Sequence, residues 1–261
     1  MNILEKIIHR KVEEVAEAKS KITLEQLQEA PLFNRTCYSL KQSVLDTTKN
    51  GIISEFKRAS PSKGIINGHS KADEIAKAYE KNNVSAISVL TDHDFFKGSL
   101  DDLLAVRSAV SIPVLRKEFI IDRFQIAEAK AYGADIILLI AACLSSDQID
   151  ELSTYAKELG LNVLLEIHNK EELKDNMFDT IDAIGVNNRN LIDFSVSIQH
   201  SLDLVDLIPD RYIKVSESGI SEPKTIKELK KAGFQAFLIG ENFMKTEEPE
   251  KAIRDFVERI N

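Results

Sequence analysis

The sequence predicts an α/β protein, a (β/α)8 TIM barrel carrying an N-terminal helical extension. Three observations lead there. Short aliphatic, β-branched runs recur along the chain from residue 52 onward. Their hydrophobicity is continuous rather than alternating, which is what strands buried on both faces of a helix-covered parallel sheet require. The segments between them show helical spacing, and several finish in glycine. A strand and a helix repeated in this way close as a barrel, with an open doubly wound sheet as the alternative.

The elements follow in order. Residues 2–19 place Ile3, Ile7, Val12 and Val15 at helical intervals among Lys and Glu, and a second helix is expected over about 34–47. Strands are expected in IISEF from Ile52, SAISVL from Ser85, PVL from Pro113, DIILLI from Asp135, NVLLEI from Asn162, DAIGVN from Asp182, YIKVS from Tyr212 and AFLIG from Ala236. Between them KADEIAKAYEKNN, SLDDLLAVRSAV, DRFQIAEAKAYG, SSDQIDELSTYAKELG and SEPKTIKELKKAG read as helices. Gly133, Gly160 and Gly233 each stop a helix just before the next strand, where the chain past a helix end turns left-handed. No low-complexity linker interrupts the pattern. Residues 1–261 are therefore expected to form a single barrel domain, with 1–50 an extension packed on it.

Composition bounds the function. With 34 Lys+Arg against 42 Asp+Glu the net charge is −8, which argues against a broad nucleic-acid footprint and for a small-molecule partner. Cys37 and Cys143 form no CxxC pattern and are too few for a disulfide framework, which suits a cytoplasmic protein. The start, MNILEKIIHRKVEEVAEAK, intersperses charge and lacks the apolar core of a signal peptide, and no run reaches the ~18 apolar residues of a membrane span. No membrane or nucleic-acid partner is expected, and the chain is expected to be a monomer or a weak homo-oligomer.

The segment ISEFKRASPSKG begins as a strand and ends as a turn, yet it carries charge where a buried strand would be aliphatic. Alternation puts Ile53, Glu55 and Lys57 on one face and Phe56 and Arg58 on the other. Alone, this describes an exposed edge strand with a solvated ion pair. Other strands, however, also meet polar residues at their exits, where a barrel keeps its chemistry: Lys117, Glu166, Asn187 with Arg189, and Glu217. Ser218-Gly219 after the seventh strand and Gly240-Glu241 after the eighth put small residues where backbone N–H groups can meet an anion, the usual phosphate position in such barrels. Glu166 and His168 share a strand face and could give two positions of a metal site, but no third ligand is evident, so no metal is expected. GxGxxG and GxxxxGK[ST] are absent. A Schiff-base role for Lys117 stays open at this point.

The segments SEFKRASPSKG, SVLTDHDFFKGSL, PVLRKEFIIDRFQIAEAKAYGAD, LLEIHN, IGVNNRNL, VSESGI and FLIGENFM together resemble the indole-3-glycerol phosphate synthase family of tryptophan biosynthesis. They run in the family's order over essentially the whole chain, and ExKxxSPS and NNRxL at this spacing are specific to it. The ending resembles that of a monofunctional member. The resemblance implies a carboxy-lyase acting on 1-(2-carboxyphenylamino)-1-deoxyribulose 5-phosphate, closing it to an indole with loss of CO2 and water. It implies Lys117 as general acid at the ribulose carbonyl, Glu166 and Glu55 as carboxylates for proton removal and dehydration, and Lys57 as a catalytic residue at the substrate carboxylate and in the later proton transfer. It further implies Asn187 and Arg189 as orienting residues and Glu217 as support for the network. Ser60 is implied near the carboxylate, Phe96 and Phe119 around the aromatic ring, Leu238 as a further substrate-binding residue, and Ser218, Gly219, Gly240 and Glu241 at the phosphate. Some members carry a small hydroxyl residue where this chain has Glu241, which leaves its backbone N–H as the contribution.

Glu55, Glu166 and Glu217 offset Lys57, Lys117 and Arg189, so a doubly anionic substrate adds negative charge and favours protonated acids in the complex. Decarboxylation would leave its electrons in the cyclised iminium, and no cofactor is expected. Phosphoribosylanthranilate isomerase, the nearest rival, uses a cysteine where this chain has Glu55 and Lys57. A non-catalytic phosphosugar-binding barrel would lack at least one of Lys117, Glu166 or Glu55.

Overall fold

A computed structural model describes residues 2–190 and 194–260. Helix α1, Ile3–Lys21, begins with a reciprocal cap: the Asn2 side chain accepts from the Glu5 N–H, and the Glu5 carboxylate accepts from the Asn2 N–H. Its buried stripe is Ile7, Lys11 and Val15, one residue per turn. Val12, expected on that stripe, is 57 % exposed. Lys11 takes the buried place because carboxylates on the barrel meet its ammonium there. Helix α2, Leu24–Gln28, was not expected; five residues are too few to show a period.

The helix expected over 34–47 is the shorter α3, Leu40–Leu45. Two hydrogen bonds explain the difference. Arg35 Nη2 and the Tyr38 N–H both donate to Asp135 Oδ1 at 2.8 Å, which pins the preceding segment outside any helix, and the Ser39 side chain then caps the start by accepting from the Gln42 N–H.

The barrel strands are β1 (Ile52–Phe56), β2 (Ala86–Leu90), β3 (Val114–Lys117), β4 (Ile136–Ile140), β5 (Asn162–Ile167), β6 (Ala183–Asn187), β7 (Ile213–Glu217) and β8 (Ala236–Ile239). Each pairs in parallel with its sequence neighbour, and β1 pairs with β8 to close the barrel. Ile53, Leu115, Leu138, Leu164 and Val215 point inward, and Leu40 and Val44 of α3 join them. Because the Leu40 N–H donates to Asn162 at the start of β5, α3 plugs the end of the barrel where the strands begin. Ile52 and Phe56 face the outer layer instead, as the alternation of β1 requires. Burying each such aliphatic side chain contributes roughly 1.5–3 kcal/mol.

The outer layer is α4 (Ala72–Lys81), α5 (Leu100–Ala109), α6 (Arg123–Ala131), α7 (Ser146–Glu158), α8 (Lys170–Asp175), α9 (Gln199–Leu204), α10 (Pro223–Ala232), α11 (Glu241–Met244) and α12 (Pro249–Glu258). The expected helix-stop glycines are left-handed, with φ of 86° at Gly133, 75° at Gly160 and 111° at Gly233. After β1 a two-residue ladder pairs Ala59–Ser60 with Gly64–Ile65 around the predicted turn. Cys37 and Cys143 are free thiols. Among the described residues no helix is long and apolar enough to cross a membrane.

Candidate active site

Barrel register brings the strand exits level. Lys117 lies beside Leu90, Glu166 beside Gly185, and Glu217 between Asn187 and Leu238. The side chains meet over the interior core. Lys117 Nζ is 2.6 Å from Glu217 Oε2 and 3.1 Å from Glu166 Oε2. Asn187 Nδ2 donates to Glu166 Oε1 at 2.9 Å, and Asn187 Oδ1 accepts from the Arg189 N–H at 3.0 Å. Lys57 Nζ is 2.8 Å from Glu55 Oε1. Arg189 reaches Glu241 at 3.9 Å, turning that carboxylate toward its guanidinium.

Two glycines make room for acids. A Cβ on Gly185 would sit 2.1 Å from Glu217 Oε1, and one on Gly240 would sit 2.5 Å from Glu55 Oε1. Gly240 was expected for backbone approach to an anion; its position beside Glu55 is a second, independent reason for glycine there.

Environment drives the carboxyl groups apart. Burial and the nearby Glu166 and Glu55 carboxylates push Glu217 up to about 7, against the opposing pull of Lys117. Glu166 is held below its ordinary value: burial works against its charge, but Lys117, His168 and the Asn187 amide outweigh it. Burial also works against the Lys117 ammonium, yet Glu217, Glu166 and Glu55 raise its pKa well above that of a free lysine. His168 lies 3.5 Å from both Glu166 and Glu172; burial opposes its charge, and the two carboxylates raise it.

Glu55, Lys57, Lys117, Glu166, Asn187, Arg189 and Glu217 line one cavity of about 520 Å³, whose wall includes every site residue named from the sequence. Ser60, Phe96, Phe119, Leu238, Ser218, Gly219, Gly240 and Glu241 all border it. Phe96 and Phe119 face each other with ring centroids 6.1 Å apart. The Ser60 hydroxyl and Glu217 Oε1 are buried without a hydrogen-bond partner among the described residues. Leu191, the last residue of the NNRxL motif, lies outside the described residues.

Sequence reading missed part of the wall. Ile3, Leu4 and Ile7 of α1 border the cavity, as do Lys63, Glu118 and Lys245. The helical period of α1 was visible, but which end of the barrel it covers is a tertiary fact. Lys11 did leave a signal, since it stands four residues from both Ile7 and Val15. Among the described residues no group of three or more His, Cys, Asp or Glu is arranged to hold a metal ion.

A closed parallel barrel with an ammonium gripped by two acids of separated pKa, at the strand exits, defines the class: a (β/α)8-barrel enzyme equipped for acid–base chemistry. The family model for indole-3-glycerol phosphate synthase matches residues 4–256, and the chain belongs to that family. Indole-3-glycerol phosphate synthase of Bacteroides thetaiotaomicron is 46 % identical over 259 residues, covering 99 % of both chains. That of Polynucleobacter asymbioticus is 43 % identical over 97 % of this chain and 98 % of its own. Among solved structures, 3-hexulose-6-phosphate synthase from Salmonella typhimurium superposes with a TM-score of 0.63 over 81 % of this chain and all of its own, at 14 % identity, a likeness of fold.

Proposed function

We propose a division of labour within the cavity for the family's reaction, the synthesis of indole-3-glycerol phosphate, a decarboxylating lyase step of tryptophan biosynthesis. The observation that carries it is the Lys117 ammonium held between Glu166 and Glu217 in the wall of the cavity. As the aromatic carbon bonds to the ribulose carbonyl carbon, negative charge grows on the carbonyl oxygen. Lys117, kept protonated by its carboxylate neighbours, stabilises that charge and gives up its proton to an oxygen that has become more basic than an amine. The ring carboxylate leaves as CO2, and its electrons neutralise the iminium of the new ring.

Loss of water then needs a base to take a proton and an acid to release the hydroxyl. Glu166 stays ionised and suits the first task, with Glu55 as the second carboxylate. Glu217, raised to about 7, can keep its proton near neutrality and steadies Lys117. Lys57 and the unpartnered Ser60 hydroxyl are assigned to the substrate carboxylate, the Phe96–Phe119 wall and Leu238 to its ring, and Asn187 and Arg189 to its orientation, a reading supported by their common place in the cavity wall. The phosphate is assigned to the backbone at Ser218, Gly219, Gly240 and Glu241, with Arg189 drawing the Glu241 carboxylate aside. Because α1 supplies part of the wall, we read extension and barrel as one domain.

The test is direct. The chain contains no tryptophan, so indole fluorescence appearing on addition of the ribulose substrate comes from product alone. Inorganic phosphate should compete with the substrate. No indole from folded protein would overturn the activity, and non-competitive phosphate would move the phosphate away from these loops.

A further inference from the structure

We propose that Lys11 is a positioning residue for the aromatic wall: its ammonium ties α1 to Asp92 and Glu118, the two carboxylates that hold the backbone carrying Phe96 and Phe119. The inference rests on the reading that this wall receives the substrate's ring.

Lys11 is only 3 % exposed, and its Nζ lies 2.9 Å from Asp92 Oδ2, 2.9 Å from Glu118 Oε1 and 2.6 Å from Glu14 Oε2. Both barrel carboxylates also accept from backbone at the cavity. Asp92 Oδ1 accepts the N–H groups of Phe95 at 2.8 Å and Phe96 at 3.2 Å. Glu118 Oε1 accepts the Phe119 N–H at 2.8 Å, while its other oxygen accepts from the Thr91 hydroxyl at 2.9 Å. Asp92 follows β2 and Glu118 follows β3, so a single ammonium joins the two loops whose rings face each other at 6.1 Å.

Among the described residues no other cation lies within ion-pair distance of Asp92. Arg116 approaches Glu118 only to 3.8 Å, and its guanidinium is engaged at 2.7 Å with Glu128. Without Lys11, Asp92 would lose its ion-pair partner and Glu118 would keep only the distant Arg116, leaving two buried carboxylates facing each other, an unfavourable state relieved by separating the loops or taking up a proton. Separation moves Phe96 and Phe119 apart. The phosphate end of the cavity, built from the exits of β7 and β8, shares none of these bonds.

Lys11→Met and wild-type protein are compared for KM and kcat with the ribulose substrate. Inhibition constants are measured for two probes, 2-(methylamino)benzoate, which is the ring half of that substrate, and inorganic phosphate. Expected are a rise of about tenfold or more in KM and in the benzoate constant, kcat changed by less than about threefold, and a phosphate constant within about twofold of wild type. Unchanged benzoate binding overturns the positioning role, and so do benzoate and phosphate constants that rise together, which would mean general loosening of the mouth. Wild-type protein that binds phosphate but not the benzoate overturns instead the reading of the wall, and this inference with it. If Lys11→Met does not fold, the double variant Lys11→Met, Glu118→Gln removes one charge of each sign and is read by the same constants.

Discussion

At the scale of single residues, one lysine in the cavity wall is held by two acids whose pKa values move in opposite directions. On the proposed role of Lys117 as general acid, Lys117→Met should lower kcat by ~10²-fold or more and raise KM far less, since an acid at the carbonyl oxygen counts most as that oxygen becomes an alkoxide. A near-normal kcat would remove Lys117 from the chemistry. A Schiff-base lysine would also fail when replaced, so borohydride trapping with substrate supplies the contrast: an acid leaves no covalent adduct in the mass spectrum. Glu217 gives a second prediction through its pKa. Its folded value, about 7, lies above the ordinary 4.5, so the folded state binds the extra proton between those values, and the Glu217 contribution to stability is lost as pH rises through that window. Glu217→Gln does not titrate there. The Tm of the variant relative to wild type should therefore climb between about pH 4.5 and 7. A flat difference would mean that Glu217 ionises normally.

Elements were legible in the sequence to the degree that their reasons are local. All the barrel strands lie where aliphatic runs were read, and Glu55, Lys117, Glu166 and Glu217 emerged because a charge ending such a run has no packing explanation. What escaped was set by partners distant in sequence. The segment before α3 is extended because Asp135 accepts its donors, and Lys11 is buried because Asp92 and Glu118 await it. Gly185 was not singled out as a site feature, since only the register of β6 on β7 shows that its missing Cβ is occupied by a Glu217 oxygen. The plug formed by α3 supports a prediction at this scale. Leu40 is fully buried at the end opposite the cavity, so Leu40→Ala should cost about 2–5 kcal/mol and lower Tm by several degrees. The kcat/KM of the folded fraction should stay near wild type. A matching loss of kcat/KM would show that the two ends of the barrel are coupled.

For the whole molecule, the lysine on the buried stripe of α1 has a consequence during synthesis. Chain elongation runs at ~5–20 residues per second, so α1 leaves the ribosome well before Asp92 and Glu118 exist, and barrel closure waits still longer for β8 to pair with β1. Through that interval the helix is amphipathic with nothing to pack against. A charge between Ile7 and Val15 interrupts the sticky stripe and works as a gatekeeper against association of nascent chains, until the same charge becomes the knot that fastens the helix to the mouth. In a chaperone-free translation system, chains stopped after residue 80 and carrying Lys11→Met should sediment more than wild-type chains of that length, while equal sedimentation would confine Lys11 to the finished fold.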